Sequence, residues 1–237
     1  MKQYLCHASS VGKIMSNPRS KTELLSKTAK TVVEEQFLYD KFKIKKDISN
    51  KYTERGTNQE EESILLYCKV TGNFGEFKNE ERFKNDYFVG TPDIITEDSI
   101  IDIKTSWDAT TFPWFESELP TKDYLYQVLA YMELTGKRKG YVAYCLTNHT
   151  EDAIQDEIRR ETWKLKLIDP TDEEALEIEE KVRDRMQYDR IPDNLRVKVF
   201  EVKYDENTLN KMKERVTECR EYYSMLEASI NNLTEQI

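Results

Sequence analysis

Asp93, Asp102 and Lys104 are the residues of this chain best placed to do chemistry. Gly90-Thr91-Pro92-Asp93 is followed by an eight-residue spacer and then by Asp102-Ile103-Lys104. The runs Asp93–Thr96 and Ser99–Thr105 are short and isoleucine-rich, as buried strands are. A hairpin turning at Glu97-Asp98 would pair Thr96 with Ser99, Ile95 with Ile100, Ile94 with Ile101 and Asp93 with Asp102. Facing carboxylates repel by ~0.2–1 kcal/mol on a wet surface, and by more when desolvated. A divalent cation reverses the sign of that interaction, and hard oxygen ligands suit Mg²⁺ or Mn²⁺. Side chains alternate along a strand, so Lys104 shares the face of Asp102 while Ile101 and Ile103 point the other way. The backbone carbonyl of Ile103 is available as a further ligand. An amine beside a carboxylate-held cation suits chemistry on a phosphate, where it can orient water or stabilise charge on a phosphoryl oxygen. Asp-x-Lys is a common string and also fits an ordinary surface hairpin. The facing geometry and the apolar opposite face favour a site.

Two further elements add to this set. Gln127 and Tyr131 stand four residues apart on a predicted helix and so share a face, with Tyr124 one turn earlier. Packing tyrosines and an exposed glutamine would read the same way. Glu60, in Gly56-Thr57-Asn58-Gln59-Glu60, is placed at the opening of a helix, where acids are also ordinary partners of the helix dipole.

These residues need elements to hold them. Residues 8–15 read as a short helix entered through Ser9 or Ser10, and residues 20–42 as a longer one starting near Ser20. Residues 58–70 form an amphipathic helix with Ile64, Leu65 and Cys68 on one side, stopped by Gly72. Arg82–Val89 reads as a strand. Residues 121–135 are a helix capped by Thr121 and ended by Gly136. Gly140–Thr147 is strand-like, residues 151–163 and 171–189 are charged helices separated at Asp169-Pro170, Leu195–Tyr204 alternates as a strand, and residues 205–232 close the chain as a helix. The expected fold class is α/β: a small central mixed sheet flanked by helices.

The chain of 237 residues is long enough for one good core, so a single domain with peripheral additions is expected. Its net charge is −9, which is not that of a default nucleic-acid binder. Contacts to a phosphate backbone would have to come from local clusters. Lys13 and Arg19, Lys41 to Lys46, and Lys137-Arg138-Lys139 are the candidates. Trp107, Trp114 and Phe115 follow the second strand and suit either a stacking surface or the core. Cys6, Cys68, Cys145 and Cys219 form no close pair, which argues for reduced thiols and against zinc or iron–sulfur sites. No apolar run approaches the roughly 20 residues that span a bilayer, and the first residues have no signal-peptide core, so a cytoplasmic protein is expected.

Taken together, Gly-x-x-x-Glu, the Thr-Pro-Asp turn, Asp-x-Lys and Gln-x-x-x-Tyr resemble the PD-(D/E)XK nuclease superfamily. More narrowly they are similar to the YqaJ-type viral recombinases, the group of phage lambda exonuclease. The opening His7-Ala8-Ser9-Ser10 resembles the same group, and the likeness covers roughly residues 5–147. It implies a restriction-endonuclease-like core at about 56–147, with N-terminal helices at 8–50 and a C-terminal extension at 148–237. It implies an Mg²⁺- or Mn²⁺-dependent deoxyribonuclease with two ions per site, degrading double-stranded DNA ends 5′ to 3′ in phage-type recombination. Glu60, Asp93 and Asp102 would be the acids, assisted by the Ile103 carbonyl. Lys104 would be the catalytic lysine, Gln127 would position the site and Tyr131 would support it. Ser9 and Thr91 match positions that touch a terminal 5′ phosphate, and Lys2 would stand where an arginine helps. A homotrimer and a single-strand annealing partner are implied as well. The alternatives are an endonuclease on the same site, a RecB-like repair nuclease and a DNA-binding protein without catalysis.

Overall fold

A computed structural model describes residues 3–45, 51–73, 78–167 and 171–234; at 51–58, 172, 233 and 234 it describes the backbone alone. Lys2 and Lys46 lie outside the described residues, as does the Asp169-Pro170 break. The chain order is β1 (Cys6–His7), a 3₁₀ turn at Ala8–Ser10, α1 (Val11–Ile14), α2 (Lys27–Phe42), α3 (Lys51–Thr71), β2 (Phe83–Lys84), β3 (Phe88–Gly90), β4 (Ile94–Ile95), β5 (Ser99–Thr105), α4 (Lys122–Thr135), β6 (Lys139–Cys145), α5 (Glu151–Lys164), α6 (Asp172–Met186), β7 (Val197–Lys203) and α7 (Glu206–Thr234).

The strands make two sheets where one was expected. The main sheet has the order β4-β5-β6-β7 and is mixed: β5 and β6 run parallel, and the outer pairings are antiparallel. A second sheet, β1-β3-β2, is built from the N-terminus and the Arg82–Val89 run. That run is a hairpin, not one strand. Asn85 Oδ1 accepts from the N–H groups of Tyr87 and Phe88 and turns the chain between β2 and β3. The β4–β5 hairpin has the expected register, with Ile94 opposite Ile101 and Ile95 opposite Ile100.

Alternation along β5 splits the core between two layers. Ile100 joins Val128, Met132, Val142 and Val202 under α4, in a cluster that continues to α1, α2 and α7. Ile101 and Ile103 face the other way, against Ile64, Tyr67 and Cys68 of α3. Leu65 is 69% exposed, since it lies a helical step of about 100° from the buried stripe. Gly140 lets β6 approach α4: a Cβ there would stand 2.4 Å from Val128 Cγ1 and 2.5 Å from Met132 Cε.

Two helix starts differ from expectation. α2 begins at Lys27 because Ser26 is the cap, accepting from Ala29 N at 3.0 Å; Ser20 bonds Thr22 instead. α3 begins at Lys51, so Glu60 lies well inside the helix and is no partner of its N-terminal dipole. Neither Ser9 nor Ser10 makes a side-chain cap for the first turn. Thr121 and Gly136 bound α4 as the sequence indicates, Gly136 at φ +73°. Helices α5 and α6 pack on each other around Ile154, Ile178, Val182 and Met186, a small cluster of their own.

Candidate active site

The site forms on the α4 face of β5. Asp102 is 1% exposed, and its Oδ2 lies 2.8 Å from Lys104 Nζ, as alternation along one strand requires. Gln127 of α4 reaches down to both. Its Nε2 donates to Asp102 Oδ1 at 3.0 Å and to Tyr131 Oη at 3.1 Å, while its Oε1 accepts from Lys104 Nζ at 3.3 Å. Only this amide orientation offers an acceptor to the ammonium and a donor to the carboxylate. The Lys104 ammonium also lies over the Tyr124 ring, 4.6 Å from its centroid.

Asp93 sits just before β4, where the hairpin register puts it opposite Asp102. Its Oδ2 accepts the Ile103 N–H at 2.6 Å. Burial pushes the Asp93 carboxyl up to about 7, reinforced by the neighbouring Asp102 and opposed by Lys104. Burial likewise raises Asp102, with Lys104 pulling it back. For Lys104, burial favours the neutral amine, but Asp102 and Asp93 outweigh it and hold the ammonium charged. Two carboxylates thus share one ammonium, and the site is short of positive charge.

Glu60 lies on α3, across the sheet. Ser63, one turn further on, bonds the Thr105 hydroxyl at 2.8 Å and pins that helix to β5. Glu60 is close enough to raise the carboxyls of both aspartates. Its own carboxylate is paired with Lys78 at 3.0 Å. Among the described residues no three carboxylate, histidine or cysteine groups converge as a ready-made metal cage.

The residues present nevertheless fit a hard cation. Asp102 Oδ2 is buried and accepts no hydrogen bond of acceptable angle, although Lys104 stands within ion-pair distance. Two buried carboxylates that share a single ammonium leave a deficit of positive charge that a further cation would make good. Asp93 and Asp102, with the Ile103 carbonyl, would supply part of an oxygen set that water and a phosphate can complete.

Ser9 and Thr91, far apart in sequence, line one cavity of about 210 Å³ together with His7, Gly90, Arg82 and Tyr131. Tyr131 therefore borders both this cavity and the Gln127 network. Arg82 is exposed and makes no ion pair among the described residues. Nothing in the linear sequence singled it out, because it opens a run read only as a strand; Lys78 gave no signal either.

The other candidates separate. Lys137 donates to the Glu97 carbonyl, Lys139 pairs with Asp98, Arg138 stacks on Tyr204, and Lys41 bonds Asn231. Trp107 packs edge-on against His149, and Trp114 sits on Phe112 with its Nε1 bonded to the Ala109 carbonyl. Phe115 alone of these three aromatics is open to solvent, at 97%. All four cysteines are buried, and none is in a disulfide.

No protein-family model and no curated protein matches the chain. Solved structures do. A phage-related exonuclease from Haemophilus somnus is 27% identical over 97% of each chain, with a TM-score of 0.73. The alkaline exonuclease LHK-Exo from Laribacter hongkongensis is 16% identical, covering 98% of this chain and 92% of its own, with a TM-score of 0.63. The same enzyme in complex with dAMP gives 17% identity, the same coverage and a TM-score of 0.62. At that identity LHK-Exo speaks for the fold alone.

Proposed function

We propose that this chain, which belongs to the lambda-exonuclease-like nucleases of the YqaJ type, is a metal-dependent DNA exonuclease that degrades one strand from a double-stranded end, 5′ to 3′. The observation that carries the reading is the buried network joining Asp102, Lys104, Gln127 and Tyr131, with Asp93 facing Asp102. Two acids and a lysine on a hairpin, oriented from a neighbouring helix, are what a PD-(D/E)XK core would need, and this supports the reading.

Asp93 and Asp102 would hold Mg²⁺ or Mn²⁺, two ions per site, with the Ile103 carbonyl assisting and Glu60 entering once released from Lys78. The bound ion would supply Lewis-acid stabilisation of the phosphoryl oxygens and a more acidic water. Lys104, held charged between Asp102, Gln127 and Tyr124, places a donor at the oxygen where charge develops. Gln127 keeps the carboxylate and the ammonium in register. The cavity of Ser9, Thr91 and Arg82 would take a terminal 5′ phosphate, Arg82 giving the charge in a pocket that otherwise offers hydroxyl donors. DNA ends are the expected substrate. A homotrimer and a single-strand annealing partner are the expected assembly.

Digestion of end-labelled linear duplex, with and without a 5′ phosphate and with closed circular DNA beside it, tests the reading. Metal-dependent nucleotide release from phosphorylated linear ends is expected, with the circle left intact. Cutting of the circle would assign an endonuclease. Full activity in Asp102→Ala or Lys104→Ala would sink the proposed site.

A further inference from the structure

The main sheet carries a row of polar groups beyond the Asp102–Gln127 network. Register places Lys104 of β5 opposite Tyr144 of β6, and Tyr144 opposite Lys198 of β7. The preceding row runs Asp102, Val142, Phe200. Val142 and Val202 belong to the core under α4, so both rows lie on the face that carries Asp102 and Lys104. Tyr124, in the first turn of α4, caps Lys104 and packs against Tyr144 at 6.0 Å. The row therefore emerges where α4 begins and is not covered by the body of the helix.

Among the described residues, most cations are held in ion pairs or hydrogen bonds. Lys198 is not: it is half-buried and makes no ion pair or hydrogen bond among the described residues, and its ammonium lies 5.8 Å from the centroid of the Phe200 ring. The Tyr144 hydroxyl likewise makes no hydrogen bond among the described residues, and burial raises its pKa, so it stays a neutral donor. Phe200 and Tyr144 pack edge to face at 5.8 Å, which fixes the stem of the row. Two steps of about 4.8 Å between strands separate Lys198 from Lys104. Burying part of an ammonium with no anionic partner is unfavourable unless an anion meets it.

We propose that Tyr144 and Lys198 form a second phosphate subsite, holding a backbone phosphate that flanks the one presented to Lys104. The proposal rests on the nuclease reading. β7 thereby brings the C-terminal part of the chain into substrate binding. The subsite reads no base; it fixes the line of the strand across the sheet.

Equilibrium binding of a 5′-phosphorylated linear duplex to the full chain in chelator, across a salt series, tests it. Lys198→Gln should lower the slope of log K against log salt by about 0.9, one phosphate contact, and Lys198→Arg should restore it. Lys27→Gln, an exposed lysine on α2, should leave the slope unchanged. Tyr144→Phe should weaken binding roughly two- to tenfold at an unchanged slope. A single neutral methylphosphonate walked along the strand should, at one position, weaken the wild type and not Lys198→Gln. An unchanged slope in Lys198→Gln, or methylphosphonate losses that add to it at every position, overturns the subsite. A wild type that neither binds nor cuts the duplex overturns the nuclease reading, and this one with it.

Discussion

Asp93 Oδ2 accepts the Ile103 N–H at 2.6 Å, so the carboxylate preceding the hairpin is tied to the strand that carries Asp102 and Lys104. The bond holds two like charges together in a place that burial already makes unfavourable for either. A cation between them would relieve that conflict and would couple the stability of the hairpin to metal as well as to pH.

In chelator, the stability of the protein should fall as pH rises. The Asp93 carboxyl is pushed from 3.8 up to about 7 on folding, chiefly by burial. A group raised on folding contributes stability that is full below its unfolded value and is lost as pH climbs through the folded one. Thermal midpoints should therefore drop between about pH 4 and pH 7. Asp93→Asn should flatten that profile, and Mg²⁺ or Mn²⁺ should restore the wild-type midpoint at pH 8. A flat wild-type profile in chelator would count against the buried pair.

Asp102→Asn keeps the volume of a side chain that is 1% exposed. Nucleotide release should fall by about three orders of magnitude or more, because the site residues act as a unit. Lys104→Ala added to it should cost far less than the product of the two single losses. Multiplicative losses in single-turnover assays would show that the two residues act separately.

Gln127 and Tyr131 should behave differently. Gln127→Ala strips Asp102 Oδ1 and Lys104 of a shared partner, and should cost about 1–3 kcal/mol of stability in addition to activity. Tyr131→Phe removes one hydroxyl contact and leaves Gln127 its bond to Asp102, so about 1 kcal/mol or less is expected. Urea titration with a release assay separates the two.

Gly90→Ala should damage the site from a distance. A Cβ there would stand 2.7 Å from Tyr131 Cε1 and 2.9 Å from Ala8 Cβ, so the Tyr131 ring or the Ala8 turn must shift. About 1–3 kcal/mol is expected. The preference for 5′-phosphorylated ends should fall with it, since Ala8 and Tyr131 both line that cavity.

Arg82→Gln should reduce the preference for a 5′-phosphorylated over a 5′-hydroxyl end about tenfold in kcat/KM, on the scale of a charge-assisted hydrogen bond. Thr91→Val should do the same more weakly. An Arg82→Gln enzyme with undiminished phosphate preference would leave Ser9 and Thr91 as the only pocket residues in question.

What the sequence determined on its own is whatever depends on short separations. The Ile94–Ile101 pairing, the shared face of Asp102 and Lys104, and the Thr121 and Gly136 boundaries of α4 follow from strand alternation, a tight hairpin and local backbone preference. The reach of Gln127 to Asp102 was legible only through the combination of motifs. Tertiary structure decided what depends on contact between distant segments. It split the strands into two sheets, moved Glu60 to mid-helix against Lys78, and brought Ser9, Arg82 and Thr91 to one cavity. It also paired the basic run at 137–139 with internal partners while leaving Lys198 with no ion pair or hydrogen bond among the described residues. A lysine's charge is written in its codon, but whether that charge is already neutralised is settled by which strands pair.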